Sequence, residues 1–156
     1  MSKVATALES ANETKALIIS KEALFQASEL FKEQFPNQTA IIIADTITYG
    51  VLGKQIETQF NEKGVQQLEP YIYTDSELYA EYKFVDELVA VLKTHQAIPV
   101  AVGSGTINDL TKLAAHLTNR RYMCVATAAS MVGYTAFGAS ITANGAKQTF
   151  NCPAPQ

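Results

Sequence analysis

The chain has 156 residues, 47% of them apolar and 17% charged, with a formal net charge of −3. That length and apolar content describe one folded domain with a real core and exclude a disordered tail. Twelve basic residues against fifteen acidic ones give no global drive toward nucleic acid or anionic lipid. The apolar runs are far short of the ~20 residues that cross a bilayer. The N-terminal residues 1–11 show no basic-then-apolar leader pattern. Cys124 and Cys152 form no CxxC and have no histidine nearby, so a reduced cytosolic chain without disulfide framework or structural zinc is expected.

Residues 16–19 read as a short extended run, and 21–34 as a helix with Leu24, Ala27 and Phe31 near helical spacing, closed by Pro36-Asn37. Residues 39–44 (TAIIIA) are apolar on both faces, the pattern of a buried parallel strand. A helix over 51–63 places Leu52, Ile56 and Phe60 four apart and stops at Gly64. Residues 69–73 form the next strand and 82–95 the next helix, with Phe84, Val85, Leu88, Val91 and Leu92 on one stripe. A strand over 98–102, a helix over 106–117 and a strand over 122–126 follow. This alternation predicts an α/β domain with a Rossmann-like, mostly parallel sheet and helices on both faces. Residues 139–142 and 147–150 flank Asn144-Gly145, a strong hairpin signal because both turn positions need positive φ. Residues 151–156 carry two prolines and read as the start of a linker after a domain over 1–150.

In such a sheet, ligands bind beyond the carboxyl ends of the strands. Three loops lie there. Gly103, Ser104, Gly105, Thr106, Ile107, Asn108 and Asp109 follow a strand and open a helix. Glycines let backbone approach a diphosphate, and free N–H groups at a helix start attract an anion. The match to G-x-G-x-x-G is partial, since Asn108 stands where the third glycine would be. The alternative is a plain N-cap by Ser104 or Thr106. Asp45 ends the strand 39–44, where a carboxylate accepts from both ribose hydroxyls of an adenosine; an N-cap is the competing role. The stretch 126–134 brings the hydroxyls of Thr127 and Ser130 among small residues, suited to a loop against a ligand or to a close-packed turn. His95 and His116 fall near helix C-termini as caps or solvated surface, and Arg120-Arg121 is too small for a nucleic-acid footprint.

The stretches 44–49 (ADTITY), 103–112 (GSGTINDLTK), 127–134 (TAASMVGY) and 140–149 (SITANGAKQT) together resemble the sn-glycerol-1-phosphate dehydrogenases. Behind these stand the glycerol dehydrogenases, iron-containing alcohol dehydrogenases and 3-dehydroquinate synthases. The resemblance implies NAD or NADP as cofactor. Asp45 then takes the adenosine ribose, and Gly105 to Asp109 form the diphosphate loop, with Asp109 toward the nicotinamide. Thr127, Ala128, Ala129 and Ser130 become the second cofactor stretch. Ala136 falls where the family often has a serine touching the cofactor, and Lys147 matches a hairpin lysine.

Two departures accompany the resemblance. The family usually reads TAAS-x-Asp-Gly, with the aspartate on the polyol, and here that substrate position is Val132. Valine accepts no hydrogen bond from a hydroxyl. The family's divalent metal, zinc or similar, is held by an aspartate and two histidines of a helical C-terminal domain, and no residue here matches them. No catalytic or metal-binding residue is therefore assigned on this chain. It is expected to bind the dinucleotide without turning over a polyol, with a separate metal-binding half or self-association completing it. A degenerate nucleotide- or partner-binding module is the competing expectation, and an exposed apolar patch is expected where a further domain would pack.

Overall fold

A computed structural model describes residues 3–20, 22–127 and 134–156. Its centre is a parallel sheet of β1 (Ala40–Asp45), β2 (Tyr71–Tyr73), β3 (Ile98–Gly103) and β4 (Met123–Ala126), in the order β2-β1-β3-β4. β1 pairs with β3 from Ala40 opposite Ile98 to Ile43 opposite Ala101. β4 continues from Val100 opposite Met123 to Gly103 opposite Ala126. The β1-to-β2 connection runs one way along the sheet and the later two run the other. Right-handed crossovers therefore put their helices on opposite faces.

The two cores obey that rule. On one face, Ala40, Ile42 and Ala44 of β1 pack with Phe31 of α2 (Ala23–Gln34) and with Ile56 and Phe60 of α4 (Lys54–Glu62). On the other, Ile41 and Ile43 meet Val85 and Leu88 of α5 (Tyr82–Leu92) and Ile107 and Leu110 of α6 (Gly105–Leu117). A strand buried on both faces needs apolar residues at every position, which is what the isoleucine run provides.

Between β1 and α4 the chain does not enter one uniform helix. A short α3 (Thr46–Thr48) leads into a π-helical turn over Tyr49–Gly53. Gly53 leaves room for the Tyr49 ring beside that turn: a Cβ there would lie 2.8 Å from Tyr49 Cδ2. Helix α1 (Lys3–Ser10) buries no residue and is not predicted by the apolar pattern. Residues 16–19, expected to be extended, form no strand; the Ala16 N–H donates to Gln156 O.

The closing hairpin forms as expected. β5 (Ala139–Ala143) and β6 (Ala146–Phe150) pair antiparallel around Asn144 (φ 52°) and Gly145 (φ 78°). Ala139 and Ile141 face the core, while Ser140 and Thr142 stand opposite Thr149 and Lys147 on the other face. Thr142 N–H donates to Ala80 O at 2.7 Å and fastens the hairpin to the loop before α5. Residues 151–156, read as the start of a linker, lie against the rest of the domain. Cys152 and Ala154 are buried, and Thr14 Oγ1 donates to Pro155 O at 2.8 Å.

The two arginines have separate structural tasks. Arg120 donates to the carbonyls of Leu92, His95 and Ala97, satisfying the exposed end of α5 and the turn into β3. Arg121 lies over the Phe35 ring, 5.1 Å from its centroid.

Candidate functional site

The strand order reverses between β1 and β3, so the loops leaving Asp45 and Gly103 flank the switch point. Ala126 of β4 ends at the same edge, and Thr127 N–H donates to Gly103 O at 3.0 Å. The sheet therefore brings together three of the stretches singled out from the sequence. Of the third stretch, Ala128, Ala129, Ser130 and Val132 lie outside the described residues.

Gly103 serves the approach of helix to strand. A Cβ there would meet Ile107 Cβ at 2.7 Å. Ser104 is the N-cap of α6 in extended conformation, yet its side chain makes no capping hydrogen bond. Its carbonyl accepts from Asn108 N–H at 3.0 Å. The first turn thus presents N–H groups without a serine oxygen over them, the arrangement that receives an anion. Gly105, Thr106 and Asp109 line a cleft of about 490 Å³ in front of this turn. That volume lies within the usual range of small-molecule sites.

The opposite wall comes from the hairpin and the loop before it. Ser140, Thr142, Lys147 and Thr149 present their face to the cleft, with Ala136 and Phe137 at its side. Phe137 and Tyr79 are exposed aromatic residues on this cleft; Tyr79 falls in the tyrosine-rich stretch 71–82 of the sequence, and nothing in the sequence pattern singled out Phe137. The alternation Ser140-x-Thr142 and Lys147-x-Thr149 was a legible sign of a polar hairpin face. The cleft lining does not include Asp45 or Thr127; they stand along the same sheet edge.

Several predicted residues are engaged in structure. Asp45 Oδ1 accepts from Thr48 N–H at 2.7 Å, and Thr48 Oγ1 accepts from Asp45 N–H at 3.1 Å, a complete capping box. A carboxylate has a second oxygen, so the cap leaves acceptor capacity. Ile107 is fully buried in the core and is not among the residues lining the cleft. Asn108 Oδ1 accepts from the buried Tyr122 hydroxyl at 2.8 Å, so its side chain serves the interior.

Asp109 is half-buried, and burial pushes its carboxyl pKa up. Lys112, the Ser140 N–H it accepts from and Lys147 act in the opposite direction. Lys112 is 1% exposed, and its Nζ donates to Ala136 O at 2.7 Å and Gly138 O at 3.0 Å. Burial lowers its pKa, while the Asp109 charge works against that. Lys112 belongs to the stretch 103–112 but no role was expected for it. Its place three residues after Asp109 was the available signal.

Burial pushes the thiols of Cys124 and Cys152 up to about 12 and about 11, away from nucleophilic use. Among the described residues, no group of three or more His, Cys, Asp or Glu side chains could hold a metal ion. No helix among them is long and apolar enough to cross a membrane.

The parallel sheet, the switch-point loops and the uncapped glycine-led helix define a Rossmann-like α/β domain with a C-terminal hairpin. Residues 18–156 match the model of the iron-containing alcohol dehydrogenase family, and the chain belongs to that family. It is 32% identical over 117 residues to glycerol-1-phosphate dehydrogenase (NAD(P)+) of Halalkalibacterium halodurans, covering 73% of this chain and 29% of that protein. It is 28% identical over 142 residues to the protein of the same name from Bacillus subtilis, covering 89% of this chain and 36% of that one. The chain thus spans about a third of the length of these relatives. Among solved structures, 2-epi-5-epi-valiolone synthase of Streptomyces hygroscopicus, with NAD+ and Zn2+ bound, superposes with a TM-score of 0.72 at 17% identity. That match covers 93% of this chain and 42% of the synthase and shows the shared fold.

Proposed function

We propose that this chain is the nicotinamide-dinucleotide-binding part of a glycerol-1-phosphate or related polyol dehydrogenase. The observation that carries the reading is the first turn of α6. It follows a strand at the switch point, its Ser104 hydroxyl makes no cap, and it opens on a cleft whose far wall carries Lys147. The dinucleotide, when bound, supplies hydride transfer. Gly105 and Thr106 would hold its diphosphate through backbone N–H groups, with Lys147 adding positive charge. Asp45 would accept from the adenosine ribose through the oxygen that its cap leaves over, and Thr127 to Ser130 would form the second stretch against the cofactor. An acid at the ribose favours NAD over NADP by repelling a 2′-phosphate.

The described residues do not fit a metal centre, so no step is derived through a metal on this chain. In a complete enzyme the metal and its ligands would come from outside this stretch. Ile47 and Val51, 75% and 59% exposed and four apart after Asp45, offer an apolar contact for such a half or for a second copy. Two unpaired cysteines suit a cytosolic setting.

Calorimetric titration with NADH and then NADPH tests the reading. Saturable binding with Kd between about 1 μM and 1 mM (~−8 to −4 kcal/mol) is expected, and its loss in Gly105→Val, whose side chain would obstruct the diphosphate approach. Unchanged affinity in that variant, or no binding to the parent chain, overturns it.

A non-catalytic binding module is the second reading, and Val132 is the observation favouring it, because it removes a hydrogen-bond acceptor from the substrate position. Turnover of glycerol 1-phosphate or dihydroxyacetone phosphate with added metal would refute it.

A further inference from the structure

Gly105, Asn108, Asp109 and Lys112 are spaced at i, i+3, i+4 and i+7 along α6 and so share one helix face. The first three line the cleft; the fourth lies beneath its far wall. That wall is open to solvent. Ala136 and Phe137 are exposed, and Gly138 adopts φ 87° at the entry to β5. A segment of this kind needs partners from outside itself to hold one position.

Those partners converge from two sides. Lys112 Nζ reaches the carbonyls of Ala136 and Gly138 at 2.7 and 3.0 Å. Asp109 accepts the Ser140 N–H, and Gly138 N–H donates to Cys152 O at 2.8 Å. An ammonium at 1% exposure is costly to bury and is retained only with good acceptors or a counter-charge. Here the acceptors are carbonyls of the cleft wall, and the counter-charge, Asp109, is on the same helix. The two ends of the cleft, helix start and wall, are therefore linked through one side chain.

We propose that Lys112 is a positioning residue that holds the 136–138 wall at a fixed distance from the first turn of α6, so that cofactor affinity depends on a lysine beneath the cleft. The ligand in this statement rests on the reading above. The holding action does not.

Lys112→Met keeps the apolar stem and removes the donors; Lys112→Gln keeps N–H donors without the charge. Hydrogen exchange would be followed in 134–140 and, as an internal reference, in β3, together with NADH titration. The expected result for Lys112→Met is retained protection of β3, protection lost selectively in 134–140, and NADH binding weakened about tenfold or more. Lys112→Gln is expected to recover part of both, and it decides the matter if Lys112→Met does not fold. Unchanged exchange in 134–140, an equal loss in β3, or selective loosening with unaltered NADH affinity overturns the proposal. If the parent chain binds no dinucleotide, the cofactor reading fails and with it the ligand half of this one. The exchange comparison then still decides whether Lys112 holds the wall.

Discussion

The Tyr122 hydroxyl donates to Asn108 Oδ1 at 2.8 Å inside the domain, linking the second turn of the cleft helix to the residue that precedes β4. Asn108 occupies the place of the third glycine in a dinucleotide fingerprint, yet its side chain points to the core. Tyr122→Phe leaves a buried carboxamide oxygen without its donor. A loss of ~1–3 kcal/mol in urea unfolding is expected. NADH affinity should stay near the parent value, and a large fall in affinity would return the Asn108 side chain to the cofactor site.

Asp45 has one oxygen in a cap and one to spare, so its two roles can be separated. Asp45→Ala removes both, with ~0.5–2 kcal/mol lost from the cap. Asp45→Ser retains a capping oxygen but not a carboxylate. Near-parent stability with NADH affinity reduced ~10–100-fold is expected, the worth of one charge-assisted hydrogen bond. Equal affinity in Asp45→Ser and the parent chain would leave Asp45 as a cap alone.

Gly103→Ala should be destabilising although Gly103 has no left-handed backbone. The added Cβ would meet Ile107 Cβ at 2.7 Å and Cγ1 at 2.8 Å, and the Cβ is fixed to the helix backbone. Overpacking of this kind costs ~1–3 kcal/mol, read from a denaturant midpoint at unchanged m. A midpoint equal to the parent value would show that α6 can move away freely.

His95 gives the fold a predicted acid dependence. Its Nδ1 accepts from Ala97 N–H at 3.1 Å, which requires that nitrogen to be unprotonated. Burial and the neighbouring Arg120 charge lower its pKa below 6.5. The unfolded chain then binds the proton first as pH falls, so this contribution to stability is full above about 6.5 and declines below it toward the folded-state pKa. His95→Asn supplies an acceptor oxygen that does not titrate there. Between about pH 7.5 and 5, the melting temperature of the parent chain should fall further than that of the variant. Parallel curves would refute the assignment.

Much of the fold was legible because it follows local rules. The isoleucine run of β1, the helix stripe from Phe84 to Leu92 and the Asn144-Gly145 turn each express a period or a backbone preference within a few residues. The positions of Asp45 and of 103–109 at strand ends were legible for the same reason. Helix α1 was not, because it buries no face that would leave a pattern.

By itself, the sequence determined the strands and helices that build the two cores, which faces they bury and which loops gather at the switch point. These properties are set by backbone sterics and by the spacing of apolar side chains. Only the tertiary structure decided what the polar side chains do. Lys112 meets a carbonyl 24 residues away, and Thr14 meets one 141 residues away. Asn108 Oδ1 accepts from the Tyr122 hydroxyl, 14 residues away in the interior. A hydrogen bond forms where packing brings donor and acceptor within about 3 Å, and that proximity belongs to the assembled cores rather than to any local spacing.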